Sequence, residues 1–322
     1  MSANFTYSII AIDKERNEIG AAVQSHAFCA GLSVPWVQTN IGALVTQASV
    51  TPELRAAAIE LLESGDLTQH NLENIVAKHL TGAETQIALM DVSGNIAAYT
   101  GHDCLAFAGH YIGDSCSAQG NLLAQDQVWR AMGEAYSDSQ GKDLGERLLV
   151  ALDIAQDCSG DFRGKRSAGL RIVQLKSESK PGRYTDSIHD LRVDDHAEPL
   201  IELRRLYKIS CASRKWYNAM EILTVNASPE DQQDSRPADL NAVYNQSLTL
   251  YQQALTDFNL LSKDTEWVQF WYAVQVAKSG KLAEAEKLIS KVLKHNSRYI
   301  ELLNRLQKNN SYQYLNKLKL PN

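Results

Sequence analysis

The stretch "TYSIIAIDKERNEIGAAVQSH", residues 6–26, contains the pattern that decides the fold. Two apolar runs rich in β-branched residues, 7–13 and 19–26, are joined by the charged segment "KERNE", which is typical of a β-hairpin. Both runs are too apolar for a sheet with one face in water, so we predict that the hairpin is covered on both sides. Thr6 stands directly before the first run, where a threonine is either an ordinary strand residue or a candidate nucleophile.

Strands and helices alternate in groups beyond this hairpin. A further strand, "IGALVTQAS", follows a loop that holds Pro35 and Trp36. Helical spacing begins at Pro52, with Thr51 as the expected N-cap and Gly65 as the expected stop. A second helix and a second hairpin follow, then a Gly-rich segment, two amphipathic helices and the strand "SAGLRIVQL". Helix pairs between hairpins favour a layered α+β domain with antiparallel sheets.

Composition and charge exclude several classes of protein. The 322 residues are 44% hydrophobic and 22% charged, which is ordinary for a globular protein. A net charge of -6 speaks against a nucleic-acid partner, and no run of 18 apolar residues predicts a membrane span. We therefore expect a cytoplasmic protein. The cysteines are scattered without any C-x-x-C pair, which favours reduced thiols: Cys29, Cys104, Cys116, Cys158 and Cys211.

The chain is predicted to contain two domains. We assign residues 1–226 to the α+β domain, with a polar excursion or linker at about 176–190, and residues 227–241 to a linker. Residues 242–322 are helical in period, and 267–297 resemble one tetratricopeptide repeat. The resemblance rests on four positions, and Ser297 replaces the usual final proline: Ala273, Gly280, Ala285 and Ile289. One repeat cannot bury its own faces, so we expect it to pack on the first domain, on neighbouring helices or on a protein partner. The apolar helices of this region also favour self-association.

The first candidate site follows the opening hairpin. Ser25 and His26 end an apolar strand, and Trp36 and Gln47 are expected to line the same cleft. Adjacent residues on a strand point to opposite faces, so Ser25 and His26 are not expected to form a nucleophile–base pair with each other. The alternative interpretation is a turn serine beside a structural histidine.

A second candidate site is the loop "GDFRGKRSAGL". Asp161 and Arg163 crowd a Gly-flanked segment directly before an apolar strand, where an Asp–Arg pair can order a loop or bind a substrate carboxylate. The alternative is a solvated loop whose charges aid solubility. The nearby segment "VDDH", residues 193–196, has no distant partner residues that would complete a metal site. Neither a dinucleotide turn nor a phosphate loop occurs, so no metal or cofactor is predicted.

Taken together, these motifs resemble a known family. "TYSIIAID", "AAVQSHAFCAGLSVPWVQTNIGALVTQA", "MDVSGNIAAYTG", "AGHYIGDSCSAQGNLL" and "DFRGKRSAGL" are similar in order and spacing to a bacterial and archaeal family of unknown function placed with the N-terminal-nucleophile (Ntn) hydrolases. The resemblance covers roughly residues 6–206. It implies a four-layer αββα sandwich, followed here by an all-α region, and cofactor-free amide chemistry. In that superfamily an N-terminal Thr, Ser or Cys attacks a carbonyl, and its own α-amine acts as the base.

The resemblance also assigns positions in this sequence. The matched cleft positions are Thr6, Ser25, His26, Asn121, Asp161, Arg163 and Ser167. Arg166 stands where the family usually has glutamine, and Ser159 where it usually has glycine. "MSANF" precedes Thr6, so Thr6 has a free α-amine only if residues 1–5 are removed.

Three hypotheses follow for the function. The first is an Ntn-type amidohydrolase that cleaves a small amide or peptide-like bond through Thr6 once residues 1–5 are removed. The second is a non-catalytic Ntn-fold scaffold or binding protein whose helical region docks a protein partner. The third is hydrolysis through another nucleophile in the cleft, such as Ser25.

Overall fold

The structure, a computed structural model, describes residues 6–178, 187–225, 240–261 and 265–320. The chain divides into two compact units, Met1–Tyr207 and Lys208–Asn322. This division falls within a long helix, α6 (Pro199–Val225), which begins at the proline where the sequence predicts a helix. Of the predicted linker, residues 227–239 lie outside the described residues, and Leu240 already begins a helix.

A six-stranded antiparallel sheet is built around the opening hairpin. In spatial order its strands are β10 (Ser187–Val193), β9 (Ser167–Gln174), β2 (Glu18–Ser25), β1 (Tyr7–Asp13), β8 (Cys116–Gly120) and β7 (Gly109–Ile112). The predicted hairpin is confirmed, with Tyr7 opposite Gln24 and Asp13 opposite Glu18. Strand β10 corrects the predicted excursion at 176–190, because residues 187–190 pair with β9 while 179–186 lie outside the described residues.

A four-stranded antiparallel sheet faces the first one. Its strands are, in spatial order, β3 (Pro35–Gln38), β4 (Gly42–Ala48), β5 (Thr85–Asp91) and β6 (Ile96–Thr100). The second predicted hairpin is β5 and β6. The prediction that Pro35 and Trp36 lie in a loop is wrong, because both belong to β3, which pairs with β4. An edge strand accepts proline at its first residue, since no ladder partner there requires its missing N–H.

Helices cover the outer face of each sheet. Helices α2 (Pro52–Ser64) and α3 (Gln69–Val76) pack on the four-stranded sheet, and α4 (Val128–Asp138) and α5 (Leu144–Asp157) pack on the six-stranded sheet. The short helix α1 (Ala30–Ser33) lies against β9. Between the sheets, side chains such as Ile10, Val45 and Met90 form an apolar core. The first unit is therefore a mixed α+β domain with two antiparallel sheets.

The start of α2 has the predicted cap. The Thr51 side chain accepts a hydrogen bond from the N–H of Leu54, Pro52 takes the first turn, and Gly65 closes the helix with a φ of 75°. We expect Thr51→Ala to lower the free energy of unfolding by about 1 kcal/mol, because one helix N–H loses its acceptor. Thr51→Ser keeps the hydroxyl and should stay close to wild type in the same thermal melt. Equal melting temperatures for the two variants would contradict the capping role.

The second unit is helical. Beyond α6 it contains α7 (Leu240–Leu261), α8 (Glu266–Lys278), α9 (Leu282–His295), α10 (Arg298–Gln307) and a terminal 3-10 segment, Asn310–Lys317. Gly280 turns the chain between α8 and α9 with a φ of 86°, while Ala273, Ala285 and Ile289 are buried in the core. The likeness to a tetratricopeptide repeat stays a prediction. In the described part of the chain, the helices are all too short or too polar to cross a membrane.

Candidate functional site

Several predicted site residues meet at one end of the six-stranded sheet. Tyr7 lies opposite Gln24 on one side and Gly120 on the other. Continuing this register by one residue places Thr6 between Ser25 and Asn121. Ser25 in turn lies opposite Ser167 of β9. Since directly opposite residues in a sheet point to the same face, these four side chains share one face at this edge.

This shared face is turned toward the other sheet. Thr6, Ser8 and Ile10 alternate along one side of β1, and Ile10 belongs to the core between the sheets. The hydroxyl of Ser8 donates to Oε1 of Gln47 in β4 at 2.7 Å, which ties the two sheets together at this point. Thr6 therefore lies directly before β1 with its side chain in the space between the sheets.

Thr6 and Asn121 carry buried oxygen atoms without a hydrogen-bond partner. Both side chains are fully buried, and Oγ1 of Thr6 and Oδ1 of Asn121 make no hydrogen bond to any described residue. The backbone of Thr6 is held firmly by contrast, because its carbonyl accepts from the N–H of Asn121 at 3.0 Å and from Nε2 of Gln47 at 3.2 Å. Buried polar atoms usually find partners, so two orphaned oxygens on neighbouring strands mark a place where a ligand can bind.

A buried amide cluster supports these two residues. We use that name for Ser8, Gln47, Gln86, Gln119 and Asn121. Oε1 of Gln86 accepts from Nε2 of Gln47 at 2.6 Å and from Nδ2 of Asn121 at 2.8 Å. Nε2 of Gln119 donates to the Ser8 hydroxyl at 2.8 Å. The cluster fixes both Gln47 and Asn121 in place.

The segment between α5 and β9, residues 158–166, is called the Asp161 loop and is built around one carboxylate. The Asp161 side chain is fully buried and accepts from the backbone N–H of His26 at 3.1 Å. Arg163 donates to it from its backbone N–H and from Nε, both at 3.0 Å, and from Nη2 at 2.7 Å. The predicted Asp–Arg pair is therefore present, and it ties the segment after β2 to the loop before β9. A bidentate pair of this kind fixes geometry as well as charge.

Ser25, His26 and Ser167 shape the segment between β2 and α1. Ser25 is buried and its hydroxyl accepts from the N–H of Ala27 at 2.9 Å, whereas His26 is exposed. The Ser167 hydroxyl accepts from the N–H of Ala30 at 3.0 Å and donates to the carbonyl of Ala27 at 2.6 Å. These contacts give both serines a structural role beside Thr6 and keep the His26 ring outside the buried face.

Trp36 is not brought to this site. In β3 it lies opposite Leu44, and it packs with the cluster beneath α2 and α3 on the far face of the four-stranded sheet. Gln47, on the face between the sheets, does reach Thr6 through its amide. Trp36 and Gln47 therefore lie on opposite faces of the same sheet, and the pairing of β3 with β4 sets the face of Trp36.

The two departures from the family pattern lie in the Asp161 loop. Ser159 has a φ of 68°, in the left-handed region that glycine adopts most easily, which gives a physical reason for glycine at this position. Arg166 donates from Nε to Oδ1 of Asp195 at 2.9 Å, and its guanidinium lies over the Phe28 ring. Both partners of that ion pair are largely exposed, so Arg166 adds no charge to the buried face.

Cys104, Cys116 and Tyr7 are protonated at neutral pH. Burial raises the pKa of the Cys104 and Cys116 thiols to about 11. Burial, followed by the carboxylate of Asp161, raises the pKa of Tyr7 well above its usual value, and its hydroxyl donates to Gln156 of α5 at 3.2 Å. A thiol with such a pKa is a poor nucleophile, since the thiolate is the reactive form. Over the residues that are described, no cluster of three or more acidic, His or Cys side chains offers a metal site.

Ser8, Gln86 and Gln119 were missed by the sequence-based reasoning. Each stands near the end of an apolar strand, where a polar residue normally indicates the exposed end of a sheet. The available signal is that Ser8 and Gln86 each stand two residues before a core residue of the same strand, Ile10 and Ala88, which predicts an inward face for both. Polar residues on an inward face need hydrogen-bond partners, and that requirement could have identified the cluster.

The family match to known proteins falls within the first unit. Residues 6–203 match the model of DUF1028, described as a family of unknown function. The crystal structure of protein SPO2555 from Silicibacter pomeroyi, described with the same family model, is 28% identical, with a TM-score of 0.55. That similarity covers 63% of this chain and 88% of the other. No curated protein matches the chain. The family match includes every residue of the candidate site.

Proposed function

The chain belongs to the DUF1028 family of unknown function, and we propose that its first unit is an Ntn-type amidohydrolase with Thr6 as the nucleophile. The substrate is a small amide or peptide-like molecule. The proposal requires that the bond before Thr6 is cleaved, because only a free α-amine can act as a base. The observation that carries it is the pair of buried oxygens on Thr6 and Asn121 that have no hydrogen-bond partner among the described residues.

The position of Thr6 supports this assignment. A nucleophile needs an oxygen that is not already committed to a hydrogen bond, and the hydroxyl of Thr6 makes none to the described residues. Ser25, the alternative nucleophile, already accepts from Ala27. The surrounding helices and sheets, with a helix pair outside each sheet, support the four-layer αββα architecture that the Ntn assignment implies.

The reaction then follows from the atoms of Thr6. Its α-amine, with an ordinary pKa of about 7.7–8.0, has a substantial free-base fraction near neutral pH, and this form accepts a proton. It takes the proton from the hydroxyl as Oγ1 bonds to the substrate carbonyl carbon. The C–N bond of the tetrahedral intermediate breaks, and the α-ammonium returns that proton to the leaving amine. Water then hydrolyses the Thr6 ester, which releases the acid and restores the hydroxyl.

The second unit enters the proposal as a docking region. Helices α8 and α9, with Gly280 at their turn, support the tetratricopeptide-like interpretation, and such helix pairs usually bind protein partners. This region would bind the amidohydrolase to a protein partner, whereas the substrate would be determined by the first unit. We place the whole protein in the cytoplasm, in keeping with the scattered positions of its cysteines in the sequence.

The N-terminus of the mature protein tests the proposal most directly. We expect intact-mass spectrometry of the protein purified from its native source to give a chain that begins at Thr6. N-terminal sequencing of the same sample serves as the control, because it reads threonine in the first cycle. A chain that still begins at Met1 or Ser2 would contradict the threonine mechanism and favour the scaffold hypothesis.

A further inference from the structure

The amide of Gln86 has only one possible orientation. One end of its side chain faces the carbonyl oxygens of Gly109 at 3.0 Å and Gly120 at 2.9 Å. A carbonyl can only accept, so the NH2 group must be at that end. The hydroxyl of Thr100, at 2.9 Å, also lies there as an acceptor. Oε1 of Gln86 is consequently turned to the opposite side, toward Gln47 and Asn121.

The orientation of Gln86 determines that of Asn121. Since Oε1 of Gln86 can only accept, Asn121 must present its NH2 group to it, and the 2.8 Å contact is an Nδ2–H donation. The carbonyl end of the Asn121 amide then points away from Gln86. This end is the fully buried Oδ1 that has no partner among the described residues. The assignment thus follows from two backbone carbonyls and does not depend on an arbitrary choice of amide flip.

Asn121 therefore offers an acceptor beside the nucleophile. The register places it directly opposite Thr6, with the two side chains on the same face, where opposite Cβ atoms are about 4.5–5.5 Å apart. A carbonyl carbon in contact with Oγ1 of Thr6 would bring its attached nitrogen within reach of Oδ1. An oxyanion, in contrast, would meet an oxygen there and be repelled. The oriented amide suits an N–H donor and disfavours a role in holding negative charge.

We propose that Oδ1 of Asn121 accepts a hydrogen bond from the scissile N–H of the substrate, and that Gln86 is the positioning residue that orients it. The proposal rests on the proposed function, which supplies Thr6 as the nucleophile. It restricts the substrate class to primary and secondary amides. Esters and tertiary amides, such as bonds to proline nitrogen, leave Oδ1 buried and unpaired in the complex. A site that hydrogen-bonds a substrate N–H discriminates strongly against analogues without it, because its buried acceptor is then left unpaired. A site that recognises only shape discriminates much less.

Matched amide and ester substrates test this proposal. They share the same acyl group, and kcat/KM is measured for both with the mature protein and with three variants. For Asn121→Leu, which keeps the approximate shape, we expect kcat/KM for the amide to fall by about 10²-fold or more, while that for the ester falls far less. Gln86→Met should shift the amide-to-ester ratio in the same direction, because Asn121 then loses its orientation.

Gln119→Met is the matched control within the same cluster. It removes a buried amide of the same size that donates to Ser8, not to Asn121. We expect it to lower the melting temperature about as much as Gln86→Met but to leave the amide-to-ester ratio unchanged. The ratio is the deciding quantity, because a general loss of stability lowers both rates together.

The outcomes separate this proposal from the proposed function. If Thr6-dependent hydrolysis is present but the three variants share the wild-type amide-to-ester ratio, the role of Asn121 is wrong and the nucleophile stands. If Asn121→Leu lowers both rates equally and shifts the pH midpoint of kcat, Oδ1 of Asn121 accepts from the α-amine of Thr6 and not from the substrate. That result would overturn the proposal. Absence of any Thr6-dependent hydrolysis would contradict the proposed function itself.

Discussion

Replacing Thr6 by alanine is expected to abolish amide hydrolysis while leaving the fold intact. Removal of the nucleophile should lower kcat/KM by about 10⁴-fold or more, because the remaining groups can bind and orient but cannot form the acyl-enzyme. The free energy of unfolding should change by no more than about 1 kcal/mol. The Thr6 hydroxyl makes no hydrogen bond to a described residue, so alanine loses only a methyl contact and relieves an unpaired buried oxygen.

The measurement combines a rate with a covalent label. A β-lactone probe reports the nucleophile without knowledge of the substrate: Oγ1 of Thr6 bonds to the lactone carbonyl, the ring C–O bond breaks, and the ring oxygen leaves as a hydroxyl. The mature protein should gain the mass of one probe at Thr6, and Thr6→Ala should gain none. Thr6→Ser keeps the oxygen and should retain labelling. Unchanged turnover or labelling in Thr6→Ala would exclude Thr6 as the nucleophile.

Replacing Asp161 by alanine is expected to cause the largest loss of stability. Its buried carboxylate accepts three hydrogen bonds from Arg163 and one from the backbone of His26. Without it a partly buried guanidinium and two backbone N–H groups lose their acceptor, which typically costs about 3–5 kcal/mol. For a unit of this size the melting temperature should fall by roughly 6–20 °C.

Asp195→Ala is the matched control for Asp161→Ala. Asp195 also pairs with an arginine of the same loop, Arg166, at 2.9 Å, but both side chains are largely exposed. Exposed pairs contribute little, so scanning calorimetry should show almost no change in the transition of the first unit. Similar losses in both variants would show that the loop is stabilised by general electrostatics and not by the buried Asp161 carboxylate.

Local patterns in the sequence predicted most of the first unit. The hairpin of β1 and β2 follows from two apolar runs around a charged turn, and α2 follows from Thr51, Pro52 and Gly65. These features depend on interactions between residues close in sequence, which is why they can be read without a structure. The convergence of Thr6, Ser25, Asn121 and Ser167 was anticipated only through the resemblance, since strand order decides it.

The positions of Trp36 and Gln86 depend on the order of the strands and on which face of each sheet is turned inward. The expectation that Trp36 lines the cleft is wrong because Pro35–Gln38 forms an edge strand, which accommodates the proline at its first residue and turns the tryptophan to the outer face. Gln86 was overlooked because a glutamine at the start of an apolar strand is ordinary on a solvent-facing edge. Its three acceptors come from β6, β7 and β8, and no local pattern indicates that those strands meet there.

The two hydrogen bonds to the Thr6 carbonyl have a consequence for a chain that is cut just before this residue. New chain ends normally fray, because their first residues have lost neighbours that restrained them. Here the restraint comes from the side: the Asn121 N–H and the Gln47 amide grip residue 6 from two different sheets. Cleavage would therefore leave the new terminus already immobilised. The conformational entropy of residue 6 is lost when the domain folds, so substrate binding does not have to order the nucleophile.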